Sequence, residues 1–127
     1  MSYELLAKFA SLDEDEECLS FAFSADEFGA GKYVMFQHLL KPEEQDRRLG
    51  LDGLYIERDD QLKGCYRGVE SIKRVKDRIE IVLTEEGKQR LKVQQVSITP
   101  VPWSPIISDG LARLAELSGG EYNVDYQ

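Results

Sequence analysis

The chain has 127 residues, 42% hydrophobic and 31% charged, with a formal net charge of −8. That length suits one domain whose core needs neither disulfides nor metals, and no apolar run approaches the roughly 20 residues that span a bilayer. The acidity argues against nucleic acid as a partner, since phosphate neutralisation needs a basic face.

The charge is unevenly spread: residues 1–64 hold 15 acids and 7 bases, while residues 65–127 hold 9 of each. An acidic face steers encounter toward a basic partner protein, although acidity also serves solubility alone. The N-terminus, MSYELLAKFASLDEDEE, lacks the basic start, apolar middle and cleavage site of a signal peptide, so the cytoplasm is the expected compartment. Cys18 and Cys65 stand far apart with no CxxC pair, which favours two buried, reduced thiols over a metal site or a disulfide.

In chain order, Glu4–Ser11 and Cys18–Ser24 read as strands of a hairpin around the acidic run Asp13–Glu17, which repels itself and stays in water. Ala25–Gly31 marks a loop with Gly29 and Gly31, and KYVMFQHLL (32–40) is a third strand. Lys41–Arg48 places Pro42 and acids before bases, the order of a short helix or structured loop. Gly50 and Asp52-Gly53 punctuate the chain before LYIER (54–58), which alternates like a half-buried strand. After a turn at Asp59-Asp60-Gln61 and Gly64, CYRGV (65–69) leads into SIKRVKDRIEIVL (71–83), a hairpin turning at Lys76-Asp77. Thr84–Leu91 is a helical turn with Thr84 as N-cap, and VQQVSIT (93–99) is the last strand. Pro100, Pro102 and Pro105 then interrupt pairing around Trp103, a ring expected to anchor on the sheet. Ser108–Leu117 carries Leu111, Leu114 and Leu117 at helical spacing before Gly119-Gly120 stops it. About seven strands with short connections predict a single α+β domain over 1–127: a mainly antiparallel β-sheet, a C-terminal helix and one or two short helices.

Catalytic signatures are sparse. His38 is the only histidine and lies inside an apolar strand, where a satisfied or surface side chain is favoured over a nucleophile's base. Asp52, Glu57, Asp59 and Asp60 could run acid/base chemistry or hold Mg²⁺ or Ca²⁺. Their spacing matches no calcium loop, and GxGxxG, GxxxxGK[ST] and HExxH are all missing. Turn aspartates bonded to local backbone are the simpler account. Arg67, Lys73, Arg74, Lys76 and Arg78 form a local basic cluster, most of which the strand alternation turns to solvent.

Taken together, YVMFQ (33–37), LGLDGLYIERDDQ (49–61), CYRGVESI (65–72) and LTEEG (83–87) resemble an ordered series found in family ten of the bacterial immunity proteins of polymorphic toxin systems. The resemblance spans about residues 30–90. It implies a cytoplasmic, non-enzymatic antidote that binds and neutralises a cognate toxin. The distinctive positions are Asp52, Gly53, Tyr55, Glu57, Asp59, Asp60, Gln61, Tyr66 and Gly68, the two glycines being most simply backbone requirements.

We therefore expect no cofactor and no metal, and partner binding through Asp52, Tyr55, Glu57, Asp59, Asp60 and Tyr66. Carboxylates of residues 43–60 and of the 13–17 loop would pair with cationic groups of a basic, nuclease-type toxin, and tyrosine would supply the desolvated anchor. Two alternatives stay open: a small ligand-binding or enzymatic domain using the 52–60 carboxylates, and a structural homo-oligomeric domain.

Overall fold

The computed structural model describes residues 1–27 and 31–127. Part of the loop expected over Ala25–Gly31, including Gly29, lies outside the described residues. The fold is α+β and mainly β, built from two five-stranded sheets. An antiparallel sheet runs in sequence order through β2 (Phe9–Glu14), β3 (Cys18–Ser24), β4 (Tyr33–Leu39), β5 (Tyr55–Arg58) and β6 (Gly64–Tyr66). A mixed sheet takes β1 (Ser2–Ala7), β7 (Val69–Val75), β8 (Arg78–Leu83), β9 (Gln95–Pro100) and β10 (Asn123–Asp125) in the order β1-β9-β8-β7-β10. Among the described residues three α-helices complete the fold: α1 (Glu44–Arg48), α2 (Glu85–Leu91) and α3 (Pro105–Leu117).

The first expected strand, Glu4–Ser11, is in fact two. Buried side chains fall at Tyr3, Leu5 and Ala7, then at the partly buried Ala10 and Leu12. The alternation changes phase at Lys8, and the chain passes there from one sheet to the other. One-residue phase shifts exchange the faces of a strand. The β2–β3 hairpin around the acidic turn is present, pairing Phe9 with Ser24 through Glu14 with Leu19.

Two pairings are parallel, β1 with β9 and β10 with β7. Neither was expected, because parallel neighbours are distant in sequence and leave no turn signature. The sequence reading also ended the sheet before the C-terminal helix and so left out β10. Near that helix, Pro100 stays within β9 and Pro105 occupies the first turn of α3 after Ser104 as N-cap. The helix thus starts three residues ahead of the expected Ser108, as suits a proline whose missing N–H lies where no helical bond is due. The Thr84 cap is as expected: its Oγ1 accepts from Gly87 N at 3.0 Å.

Inner faces of the two sheets enclose one core. Phe21, Phe23, Phe36 and Ile56 come from the antiparallel sheet, and Leu5, Ile79, Ile81 and Ile98 from the mixed one. Leu111 and Leu114 bring α3 onto this core, and a Cβ at Gly110 would come within 2.4 Å of the Phe21 ring. Since Phe21 points inward, α3 packs on the core side and leaves the outer face of β3 uncovered. At another margin α2 rests on β6 and β8, where Gly87 approaches Gly68 so closely that a Cβ on Gly87 would lie 2.2 Å from the Gly68 carbonyl oxygen. Gly68 is thus a backbone requirement through close approach, as is Gly53, whose Cβ would meet the Arg67 side chain at 2.6 Å.

Candidate functional site

Strand alternation sends every second residue of the antiparallel sheet outward. Across that face the register aligns Ala22 with Met35 and Ser24 with Tyr33, then Met35 with Glu57 and Gln37 with Tyr55, then Glu57 with Gly64 and Tyr55 with Tyr66. The result is a surface of rings and a thioether beside small side chains. Tyr66 is exposed, and its ring lies 4.8 Å from that of Tyr55.

Glu57 is the centre of this face and only 6% exposed. Its two oxygens accept hydrogen bonds from different tyrosines, Oε1 from Tyr55 Oη at 2.6 Å and Oε2 from Tyr33 Oη at 2.5 Å. Burial, followed by the bond to Glu57, pushes both phenols well above the usual tyrosine range. Both rings therefore stay protonated as donors at any physiological pH. No cation forms an ion pair with Glu57 among the described residues. Beside it lies a trough of about 330 Å³. Ala22 and Ser24 form its floor, Tyr33, Met35 and Glu57 line it, and Glu27 stands at its exposed margin.

Of the six residues expected to meet a partner, Tyr55, Glu57 and Tyr66 come together here, while the three aspartates lie elsewhere and are bonded within the chain. Asp59 accepts from Tyr3 Oη, from Tyr33 N at 3.2 Å and from Arg58 Nη1 at 3.1 Å. Burial raises its pKa, but those three bonds outweigh it and hold the carboxyl below the ordinary range. Because Tyr3 belongs to β1, Asp59 ties the mixed sheet to the end of β5. Asp60 caps a 3-10 turn, Gln61–Lys63, by accepting from Leu62 N at 2.7 Å. Asp52 pairs with Arg67 at 3.0 Å, and the same guanidinium lies 3.6 Å from Glu121.

The acidic segments are also divided by the topology. Leu40 N donates to Glu17 O at 2.8 Å, placing the β2–β3 turn and the α1 connection at one end of the sheet. Asp59 N donates to Tyr33 O at 3.2 Å, so Asp59 and Asp60 fall at the opposite end. The acids of the β2–β3 turn and the α1 connection thus lie at one end of the sheet and Asp59 and Asp60 at the other, with the ring-rich face between them.

Other candidates resolve into structural roles. Contrary to the expectation of a satisfied or surface side chain, His38 is buried, with Nδ1 3.2 Å from Leu39 O and an Nε2 that has no bonded partner among the described residues. Cys65 is buried and Cys18 half-buried, both as free thiols on strands that are not neighbours. Burial and the nearby Glu86 raise the Cys65 thiol above its ordinary pKa. Trp103 is half-buried, donates to Ser108 Oγ at 3.1 Å and carries the Arg74 guanidinium 4.0 Å above its ring. With Arg67 and Arg78 paired to acids and Arg74 stacked, three bases of the expected cluster are already engaged. Among the described residues no group of three or more His, Cys, Asp or Glu is placed to hold a metal, and no helix of those residues is long and apolar enough to cross a membrane.

Sequence reasoning missed Tyr33, Met35 and Glu27 as members of the face. The strand Tyr33–Leu39 was recognised, but only the pairing of β4 with β5 puts Tyr33 in reach of Glu57.

The fold and this face define a small two-sheet α+β domain whose most distinctive surface is an uncovered, tyrosine-rich sheet around a buried carboxylate. Over residues 6–100 the sequence matches the family described as Immunity protein 10. The chain belongs to that family, and it is an immunity protein. No curated protein and no solved structure matches it.

Proposed function

We propose that this protein neutralises a cognate bacterial toxin in the cytoplasm by occlusion, docking the outer face of its antiparallel sheet over the toxin's cationic working surface. The observation that carries this is the arrangement of Tyr33, Tyr55 and Tyr66 around Glu57. Half-buried and exposed tyrosines, each an apolar ring with one polar end, are favoured as interface anchors, and a carboxylate with no cation beside it among the described residues complements a basic partner. Acids of the β2–β3 turn and of α1 border this face at one end, where they steer a basic toxin such as a nuclease toward it. Asp52, Asp59 and Asp60 support the site's edges through bonds within the chain. The action is stoichiometric rather than enzymatic.

The test begins with affinity capture from the source bacterium and identification of the bound protein by mass spectrometry. The captured protein's toxic domain is then expressed with and without this chain. Growth rescued by the wild type and not by Tyr33→Ala or Tyr55→Ala supports the docking face. Full rescue by both variants moves the interface elsewhere, and no rescue by the wild type removes the antidote function.

A further inference from the structure

Resting on that docking reading, we propose that the trough beside Glu57 is a slot for a single cationic side chain, an arginine or lysine of the toxin, with Glu57 as its counter-charge.

The slot is built rather than incidental. Two tyrosine hydroxyls fix the Glu57 carboxylate from opposite sides, each on a different oxygen, so it cannot swing away to a surface base. Each oxygen keeps acceptor capacity after those bonds, because an ionised carboxylate has about four acceptor sites. Removing a carboxylate from water without a counter-charge is costly. Here the carboxylate is 6% exposed and has only neutral donors among its described partners. A cation supplied from outside would offset that cost on binding.

The shape selects the same occupant. A trough of about 330 Å³ lies at the bottom of the size range for small-ligand sites, about 300–1,000 Å³, and it suits one long side chain better than a cofactor. Its floor of Ala22 and Ser24 leaves room for an alkyl stem, which Met35 and the Tyr33 ring flank. The Tyr33 ring in the lining adds an aromatic neighbour for the cation's stem and head. Glu27 at the margin supplies a second carboxylate, and no base lines the trough among the described residues.

The first probe is n-butylguanidinium titrated into the uniformly ¹⁵N-labelled protein at fixed ionic strength, with the neutral N-butylurea as the control. Saturable amide shifts at Ala22, Met35 and Glu57 are expected with the cation and not with the urea. Glu57→Gln should weaken this response at least fivefold while the rest of the spectrum stays in place. An equal response to the urea, no saturation, or an unchanged affinity in Glu57→Gln overturns the slot. Glu57→Asp, which keeps the charge but shortens the reach, should recover less than the wild-type affinity and more than Glu57→Gln. A variant order without that ranking also counts against it.

Hydrogen exchange on the complex with the captured toxin separates this proposal from the one beneath it. Protection of β3–β5 together with a failed butylguanidinium titration leaves the docking face standing and removes the slot. Protection elsewhere removes the docking face, and with it the toxin as the source of the cation, even where butylguanidinium binds.

Discussion

The outer faces of the two five-stranded sheets differ in how a carboxylate is held. On the mixed sheet one carboxylate is already held by its neighbours: Arg78 pairs with Glu80, Gln95 donates to the other oxygen of Glu80 at 2.7 Å, and Lys73 lies directly across from Glu80. On the antiparallel sheet the one buried carboxylate, Glu57, is held by tyrosines and paired with no cation among the described residues. A carboxylate already paired with a base and bonded across strands has little to gain from a partner's cation. An unpaired carboxylate among rings leaves electrostatic and apolar free energy to be realised on binding, at some expense to the free protein's stability.

The largest effect that could break this contrast is on toxin affinity. Replacing Tyr55 by alanine removes a ring packed at a tilt against Tyr66 and a donor to Glu57, as Tyr33→Ala removes the other donor. Each should cost about 2 kcal/mol or more of binding, roughly 30-fold in Kd, measured by titration calorimetry against the captured toxin. Tyr55→Phe keeps the ring and should retain most of the affinity lost in the alanine variant. Affinities unchanged in both alanine variants would make the two faces equivalent and remove the basis for choosing between them.

A second effect, on stability, separates Glu57 from its near neighbour Asp59. Asp59 anchors Tyr3 of β1 and so helps to hold the sheets together. Asp59→Asn should destabilise the protein by about 1–2 kcal/mol, the scale of hydrogen bonds to a charged group, and leave toxin affinity little changed. The sign of its pH dependence follows from the folded carboxyl being held below its ordinary 3.8. Protons then bind more readily to the unfolded chain, so the stabilisation is fully present above about pH 4–5 and is lost as pH falls through the depressed folded value. Urea unfolding from pH 7 down to pH 3 should therefore show the wild type converging on Asp59→Asn at the acid end. A constant gap would mean the carboxylate's charge is not what holds Tyr3.

Local signals explain which parts of this molecule the sequence made legible. The β7–β8 hairpin, the Thr84 cap of α2 and the acidic β2–β3 turn each depend on residues close in the chain, and each was read correctly. What was missed depends on distant pairing. The break at Lys8 is visible as a phase change from Tyr3, Leu5 and Ala7 to Ala10 and Leu12, but two short apolar runs in succession read as one strand. The parallel partners of β1 and β10 have no such trace. For the site, Tyr55, Glu57 and Tyr66 lie on adjacent β5 and β6, so their segment drew notice as a unit. Tyr33 and Met35 join them only through the β4–β5 register. The turn aspartates look alike in sequence, yet Asp59 binds across to β1, Asp60 caps its own turn and Asp52 pairs with Arg67. Composition cannot separate those fates, because they differ in what the fold brings opposite each carboxylate.

The smallest expected effect lies on the mixed sheet and bounds the comparison from the other side. Glu80 has a side chain 19% exposed and sits between Arg78, Gln95 and Lys73. Surface pairs of this kind contribute about 0.2–1 kcal/mol each, because solvent screens them and ordering two long side chains offsets part of the attraction. Glu80→Gln should therefore lower stability by under about 1 kcal/mol, the remaining amide still bonding across the strands. Salt should shrink the difference further, given a screening length of about 8 Å at 0.15 M. Toxin affinity should stay within about twofold of wild type, since Glu80 already has a base and a cross-strand donor and gains little from a partner's cation. If instead Glu80→Gln weakened binding as strongly as Tyr55→Ala, satisfied charge pairs would be part of the interface. The contrast between a completed face and one awaiting a cation would then give no guide to where the toxin sits.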